Sequence, residues 1–269
     1  MRRPTIAVLL AATALSLSSV ALAPGASAAP SANGLGHRAT HVCSTAAEGH
    51  AACHAVREDT VTSTGQVTAA AHPAATAAPA GLASADLRSA YALTGASGAG
   101  RTVAIVDAYD APTAEADLAT YRSRYGLPAC TTANGCFRKV SQTGSTTALP
   151  KADGGWAQEI SLDVDMVSAT CPDCSILLVE VKSTSFTDLS AGVRYAAGQK
   201  VAAISNSYGG GDSGNATIAA AYNQPGIAVT ASTGDNGYGI SSPASFPTVV
   251  AVGGTSLRKD SSEIGRAHV

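Results

Sequence analysis

Histidine is absent from the long middle of this sequence. The six histidines of the chain are His37, His41, His50, His54, His72 and His268. None of them lies between residues 73 and 267. A serine protease of the Ser-His-Asp kind needs a histidine to take the proton from its serine. The middle of the chain therefore cannot build such a triad from its own residues, whichever serines it contains.

Charge and long apolar runs are also scarce. Only 13% of the residues are charged, and the formal net charge is −2. This weak charge indicates neither a nucleic-acid partner nor a polybasic membrane surface. After residue 28 no apolar run is long enough to span a bilayer. With 45% hydrophobic residues, the composition predicts a globular protein with one sizeable core, which we expect to be a monomer.

The amino terminus has the three parts of a secretory signal peptide. Arg2 and Arg3 precede the apolar run TIAVLLAATALSLSSVALA, and Ala26-Ser27-Ala28 forms a small-residue cleavage site. We expect cleavage after Ala28 and an extracellular protein. A membrane anchor is the alternative, and the Pro24-Gly25 pair that ends the apolar run disfavours it.

Six cysteines follow the signal peptide. They are Cys43, Cys53, Cys130, Cys136, Cys171 and Cys174. An even number of cysteines in an exported chain favours disulfides, and the spacing suggests the three local pairs 43–53, 130–136 and 171–174. The CPDC motif could instead be half of a zinc site or a redox motif, although no second C-x-x-C completes it.

Composition divides the rest of the chain into two parts. Residues 29–83 are rich in Ala, Thr, Ser, Gly and Pro, which predicts a short pro-region and a flexible linker. From residue 84 onward, apolar strands alternate with helices. The predicted strands are 102–108, 175–181, 201–207, 226–232 and 248–254, and the predicted helices are 113–126, 155–170, 185–199 and 215–224. This alternation predicts an α/β domain over 84–262, with a parallel sheet covered by helices on both faces.

Two acidic residues in the segment WAQEISLDVDM are candidates for catalysis. Glu159 and Asp163 are four residues apart, so a helix places them on one face. Such a pair is usually a solvated acidic face, but here the neighbours are apolar and no basic residue stands at helical spacing. Two close carboxyl groups push their proton affinities apart, so that one can accept a proton while the other holds one. The pair is suited to acid–base chemistry.

Two glycine-containing segments follow predicted strands, where sites in parallel sheets gather. Asp235 lies in ASTGDNG, which could also be a tight turn. The segment SNSYGGG could bind an extended peptide by main-chain hydrogen bonds, or it could be a plain loop. Its candidate substrate-binding residues are Ser207, Tyr208, Gly209 and Gly210.

In chain order, four motifs together resemble the sedolisin family of serine-carboxyl peptidases. They are E-x-x-x-D on a helix, S-x-S-Y-G, S-x-G-D-x-G and VVAVGGTS, and the resemblance runs from about Leu87 to Leu257. The exported, cysteine-bearing chain also looks like actinobacterial members of that family. The resemblance implies a subtilisin-like α/β fold and an endopeptidase that hydrolyses peptide or protein substrates at acidic pH.

The resemblance also implies a role for each carboxyl group. Glu159 would take the proton from a serine nucleophile, and Asp163 would orient Glu159. Asp235 would donate a hydrogen bond to the tetrahedral oxyanion, which requires a protonated carboxyl group. The chain's own pro-region is a further expected partner.

The nucleophile does not match the family pattern within this sequence. The GGTS motif, Gly253–Ser256, leads into the polar LRKDSS, whereas the nucleophilic serine should open an apolar helix. We therefore expect the catalytic serine, and the calcium site that the resemblance implies, beyond Val269. The last seven residues, 263–269, can be encoded by the start of a common sequencing adapter. We interpret them as a library artefact, so that the domain is incomplete at its C-terminus and the fragment is inactive.

Other functions stay open at this point. Asp107, near the end of the first predicted strand, stands where a subtilisin-like protease has its triad aspartate, although a turn or helix-entry residue is the simpler interpretation and the histidine is missing. A catalytically inactive secreted domain that binds peptides or glycans is another alternative.

The pro-region histidines His37, His41, His50 and His54 have three possible roles. They could bind a metal, although solvated side chains in a disulfide loop are the simpler interpretation. Their protonation could also weaken docking of the pro-region.

Overall fold

The computed structural model describes residues 36–61, 67–68, 81–211, 215–255, 257–259 and 264–266. The signal peptide and Ser256 lie outside these residues. The strands are β1 (Gly36–His41), β2 (Ala52–Cys53), β3 (Val56–Val61), β4 (Val67–Thr68), β5 (Thr102–Ala108), β6 (Phe137–Ser141), β7 (Ser175–Val181), β8 (Ala203–Asn206), β9 (Tyr208–Gly209), β10 (Ala228–Ser232), β11 (Val250–Val252), β12 (Leu257–Lys259) and β13 (Ile264–Arg266). The helices are α1 (Ser84–Ala90), α2 (Ala114–Arg124), α3 (Gly154–Thr170), α4 (Phe186–Ala197) and α5 (Ala216–Ala221).

A parallel sheet forms the centre of the described part. Its six strands run in the order β11-β10-β8-β5-β7-β6, and every neighbouring pair is parallel. The five strands and four helices predicted from the sequence are all present. Strands β5 and β7 have the predicted bounds, whereas β8, β10 and β11 are shorter. The edge strand β6 was not predicted, because the sequence FRKVS is polar at its centre.

Alternating side chains of the strands build one core on each face of the sheet. Ala104 and Val106 of β5 point toward α4, whereas Ile105 between them packs with α2 and α3. Strand β7 alternates in the same way, and all of its residues after Ser175 are buried. Burial on both faces explains why these strands are continuous apolar runs. The predicted fold class, a subtilisin-like parallel sheet with helices on both faces, is confirmed.

The amino-terminal segment forms strands of its own. Strands β1 and β3 pair antiparallel, from Gly36 opposite Val61 to His41 opposite Val56. Between them, β2 pairs antiparallel with β9, with Ala52 opposite Gly209 and Cys53 opposite Tyr208. The part of residues 29–83 that is described is therefore ordered against the α/β domain, which its composition did not predict.

All three predicted local disulfides are formed. Cys43 bonds to Cys53, Cys130 to Cys136 and Cys171 to Cys174. The described part of the chain has no free cysteine, so the CPDC motif is not half of a metal site. No helix in the described part of the chain has both the length and the apolar character needed to cross a membrane.

Candidate active site

Helix α3 positions the carboxyl pair. Asp153 caps the helix, because its Oδ1 accepts hydrogen bonds of 3.0 Å from the backbone N–H groups of Gly155 and Trp156. Glu159 and Asp163 lie on the buried face of the helix, in line with Trp156. Glu159 is 1% exposed and Asp163 is 9% exposed. The pair is therefore not a solvated acidic face.

A third carboxyl group adjoins the pair from the end of β5. Asp107 is fully buried, its carboxyl oxygens have no hydrogen-bond partner among the described residues, and the charges of Asp163 and Glu159 act on it. Among the described residues, no lysine or arginine forms an ion pair with Asp107, Glu159 or Asp163. The three form a carboxyl cluster without a counter-charge.

Burial and mutual repulsion make these groups weak acids. Burial, and then the neighbouring Asp163, raise the pKa of Glu159 to about 8. Burial raises the pKa of Asp163 to about 6, against the opposing hydrogen bond from Ser207. Burial and the charges of Asp163 and Glu159 raise the pKa of Asp107 well above its usual range. Carboxyl groups with such raised pKa values can hold protons near neutral or acidic pH, which suits acid–base chemistry.

The four predicted substrate-binding residues have different surroundings. The Ser207 hydroxyl donates a 2.7 Å hydrogen bond to Asp163 Oδ1, so this side chain orients the carboxyl pair. The Tyr208 side chain is fully buried, and its hydroxyl donates to Asn206 Oδ1. The predicted binding role of Tyr208 is therefore open only to its backbone, as the predicted main-chain hydrogen bonds require.

The two glycines provide a surface for close approach. The backbone of Gly209 pairs with β2, and Gly210 exchanges two backbone hydrogen bonds with Ser242. A Cβ atom at Gly209 would lie 2.8 Å from His54 Cε1, and one at Gly210 would lie 2.3 Å from the His50 carbonyl oxygen. Larger residues at either position would displace the amino-terminal segment.

Asp235 lies on an exposed loop after β10. Gly234, Gly237 and Gly239 in this loop have positive φ angles, which explains the glycine content of ASTGDNG. The loop lines a cleft of about 490 Å³ together with Gly209–Gly211 and part of the amino-terminal segment. The charge of Asp235 acts on both Glu159 and His54. The structure thus brings Glu159, Asp163 and Asp235 to one edge of the sheet.

His54 enters this site from the amino-terminal segment, which the sequence did not predict. Its Nδ1 lies 2.6 Å from Ser232 Oγ, and burial lowers its pKa. His50 Nδ1 lies 2.9 Å from Thr184 Oγ1. The side chains of His50 and His54 are half-buried and hydrogen-bonded, so they are not solvated as the sequence suggested. His41 is exposed.

The described residues support neither a metal site nor the alternative in which Asp107 is the aspartate of a Ser-His-Asp triad. No histidine is among the groups that act on Asp107, which are carboxyl groups. Within the described ranges, no three His, Cys, Asp or Glu side chains are placed to bind a metal ion. No calcium site can therefore be assigned to these residues, and no step below depends on one.

Comparison with known proteins supports this picture at the level of the fold. Residues 138–268 match the model of the subtilase family, Peptidase_S8. The structure of Pseudomonas sedolisin, a serine-carboxyl proteinase complexed with pseudo-iodotyrostatin, is similar with a TM-score of 0.56 and 24% identity. The match covers 67% of this chain and 56% of that chain, so the present sequence spans little more than half of the sedolisin. No curated protein matches the chain.

A second solved structure matches more distantly. Fervidolysin from Fervidobacterium pennivorans, a keratinolytic enzyme related to subtilisin, matches with a TM-score of 0.45 and 16% identity over 65% of this chain and 27% of that one. The subtilisin-like α/β fold rests on the similarity to the sedolisin structure, and residues 138–268 match the subtilase family model.

Proposed function

We propose that the complete protein is a secreted endopeptidase of the serine-carboxyl type, as in the sedolisin family, with Glu159, Asp163 and Asp235 in its active site. The observation that carries the proposal is the buried carboxyl cluster. Carboxyl groups packed together without a cation destabilise their charged forms. Such an arrangement has a cost to stability, and proton transfer is the function that explains it best.

Each group has a definite task in this mechanism. Glu159 accepts the proton of a serine hydroxyl as the serine attacks the peptide carbonyl, and later gives that proton to the leaving amine. Asp163, held by Ser207, keeps Glu159 in position. Asp235 donates a hydrogen bond to the oxyanion in its protonated form. We assign the nucleophile to a serine in the sequence that follows Val269.

A pH profile tests the proposal. The complete protein, expressed from the full gene, is assayed with a fluorogenic peptide between about pH 3 and pH 9. Since Asp235 must carry a proton to donate, we expect maximal kcat/KM below about pH 6. Maximal peptidase activity near pH 8 would contradict the carboxyl mechanism. The proposal would then be reduced to a serine peptidase of unspecified mechanism.

One observation favours a second mechanism. His54 Nδ1 and Ser232 Oγ are 2.6 Å apart, and the charge of Asp235 acts on the imidazole, so a serine–histidine pair with an acid nearby is the alternative to the carboxyl mechanism. We prefer the first mechanism, because the His54 side chain itself fills the space next to Ser232. A Ser232→Ala variant decides: loss of activity by about a thousandfold or more supports the second mechanism, and retained activity excludes it.

A further inference from the structure

Two Asn-Gly pairs are exposed in the described part of the chain, and their surroundings differ. Asn134–Gly135 lies in the loop that the Cys130–Cys136 disulfide closes. Asn236–Gly237 lies in the Asp235 loop, residues 233–241, and Asn236 lines the cleft of about 490 Å³. Asparagine is chemically labile in proteins, and a following glycine leaves its main-chain nitrogen sterically open to the asparagine side chain. One reaction can therefore be compared in two settings.

Hydrogen bonds hold both reacting groups of Asn134–Gly135. The Asn134 side chain makes three hydrogen bonds of 2.9–3.0 Å with backbone groups of its own loop, those of Ala129, Thr131 and Cys136. The Gly135 N–H donates to the Thr132 carbonyl oxygen at 3.2 Å. The side-chain amide and the nitrogen that would attack it are thus both engaged, although the pair is exposed.

No such bonds hold Asn236–Gly237. Within the described ranges, neither the Asn236 side chain nor the Gly237 N–H has a hydrogen-bond partner. The base of the loop is closed by the Ser241 N–H, which donates to the Thr233 carbonyl oxygen at 3.0 Å, and residues 235–240 are all exposed. The two glycines have similar φ angles, +76° and +72°, and an added Cβ atom would meet nothing within 4 Å at either. Hydrogen bonding, rather than space, distinguishes the two pairs.

We propose that Asn236–Gly237 is a site of spontaneous covalent modification, at which Asn236 becomes aspartate or isoaspartate and adds a negative charge to the rim of the cleft. The Gly237 nitrogen, after losing its proton, attacks Asn236 Cγ. The new N–Cγ bond closes a cyclic imide, and the Cγ–Nδ2 bond breaks to release ammonia. Solvent water then opens the imide at one of its two carbonyl carbons. Water is the only co-reactant, and the exposed loop admits it.

The two products have different effects on the loop. Attack of water at Cγ gives aspartate and leaves the main chain unchanged. Attack at the main-chain carbonyl carbon breaks the bond to the Gly237 nitrogen and gives isoaspartate. The main chain then runs through the former side chain and is one methylene longer. Both products place a carboxylate beside Asp235, and isoaspartate also changes the path of the chain that carries Asp235.

The consequence for catalysis rests on the proposed function, in which Asp235 donates a hydrogen bond to the oxyanion. Displacement of a catalytic group by about 1 Å can lower a rate about a hundredfold, so we expect isoaspartate formation to inactivate the enzyme. Because the attacking nitrogen must lose a proton, the modification is slow at acidic pH and faster at neutral pH. The site therefore limits the lifetime of the enzyme outside an acidic environment.

The modification can be measured without an activity assay. The complete protein, expressed from the full gene, is incubated for several weeks at about pH 5 and about pH 8, since loss of the amide proton controls the attack. Digestion with pepsin at acidic pH prevents deamidation in the digest. Mass spectrometry then locates each replacement of NH₂ by OH, and isoaspartyl methyltransferase labels the isoaspartate.

We expect Asn236 to convert about tenfold or more faster than Asn134 in the folded protein at neutral pH, because Asn134–Gly135 must first break two or more hydrogen bonds. Conversion of Asn236 should be at least about tenfold slower at acidic pH. An intact Asn236, or equal conversion of Asn236 and Asn134, would overturn the proposal.

The unfolded chain is the matched control. In urea, with the disulfides reduced, the two pairs lose the contacts that distinguish them, so their rates should converge. A difference of the same size in the unfolded chain would assign the effect to neighbouring sequence and contradict the structural argument. This control needs no substitution, so the test does not depend on whether a variant folds.

The Asn236→Gln variant links the modification to activity. Glutamine keeps the amide group but would have to close a larger ring. We expect kcat/KM of the unaltered protein to decline at neutral pH in step with isoaspartate, whereas the variant keeps its own starting value. An equal decline in both would contradict the inactivation. A complete protein that converts Asn236 and fails to hydrolyse peptides would refute the proposed function alone.

Discussion

Two buried acidic clusters lie at the carboxyl edge of the sheet, and they differ in one respect. Glu159, Asp163 and Asp107 have no cation among the described residues. Glu180, at the end of β7, has Lys139 Nζ at 3.8 Å, and the same ammonium group lies 2.5 Å from Asp110 Oδ1. Burial raises the pKa of Glu180, like that of Glu159, to about 8.

The presence of Lys139 distinguishes the Glu180 cluster, which has a structural role, from the Glu159 cluster, which is suited to chemistry. The carboxyl group of Glu180 accepts a 2.9 Å hydrogen bond from the Ala111 N–H, and Lys139 donates to the Ala111 carbonyl oxygen. These contacts fix the turn after β5. The Glu159 cluster also accepts hydrogen bonds, from the Ala55 N–H and the Ser207 hydroxyl, but it has no cation among the described residues, and a raised pKa alone would not have distinguished the two clusters. The comparison shows that the partners of a buried acid, more than its proton affinity, indicate its role.

The largest effect should come from removing the acid–base group. Glu159→Gln keeps the shape of the side chain and removes its proton exchange. We expect kcat/KM of the complete protein to fall by about 10³-fold, within the range for loss of general base catalysis. Hydrolysis of a fluorogenic peptide at acidic pH measures the effect.

A matched control is available on the same helix. Asp165→Asn removes a carboxyl group whose pKa is raised to about 7 by burial and by the charge of Asp117. It lies on α3 but outside the cluster, so activity should change by less than about twofold. Equal losses in both variants would show that helix stability, rather than Glu159 chemistry, was measured.

Removing the cation should affect stability. Lys139→Met leaves Asp110 and the fully buried Glu180 without a counter-charge. We expect the free energy of unfolding to drop by about 2–4 kcal/mol, as when one partner of a buried ion pair is lost. Urea unfolding measures the change. Lys151→Met, an exposed lysine above the Tyr109 ring, should cost less than about 1 kcal/mol, and a similar loss in both would contradict the structural role of the Glu180 cluster.

The pH dependence of stability should follow the raised pKa values. Glu159 ionises with a pKa near 4.5 when unfolded and about 8 when folded. Its contribution is therefore complete below about pH 4.5 and is lost as the pH rises through about 8. We expect Tm to fall by roughly 5 °C or more between pH 5 and pH 8, and Glu159→Gln to flatten the fall. A Tm that rises over this interval would contradict the burial of protonated carboxyl groups.

The smallest effect should come from Ser207. The Ser207→Ala variant removes the hydrogen bond to Asp163, which holds the pKa of Asp163 down. We expect the acidic limb of the kcat/KM profile to move to higher pH by about half a unit, and stability to fall by about 1 kcal/mol. Ser161→Ala, which removes a bond to the Ala157 carbonyl oxygen within α3, should leave the limb in place. A limb that moved equally in both variants would remove Ser207 from the set of positioning residues.

Much of the fold could be predicted from local patterns. The runs TVAIVDA and SILLVEV became β5 and β7 with the predicted bounds, because strands buried on both faces carry an unmistakable apolar signal. The local disulfides followed from short spacing. The Glu159–Asp163 pair could be predicted because four residues separate them in an apolar helix.

The rest depends on contacts between distant parts of the chain. His54 and Ser232 are 178 residues apart, and nothing near His54 in the sequence indicates that it enters the site. Strand β2 has only two residues, too few for a periodic signal, and it forms because β9 offers an edge. The burial of Tyr208 was hidden by the glycines beside it, which suggested a loop. Sequence periodicity reports which residues are inside, and it does not report what covers a cleft.

Helix α3 has a consequence for protein design. Glu159 and Asp163 share one helix that carries its own N-cap at Asp153. Their relative placement is therefore encoded within a continuous stretch of chain, independent of how the surrounding loops settle. A designer who transplanted residues 153–170 into another α/β scaffold would carry over the spacing and facing of the pair as one cassette. Only the partners beyond the helix, Ser207 and the loop of Asp235, would need to be built anew.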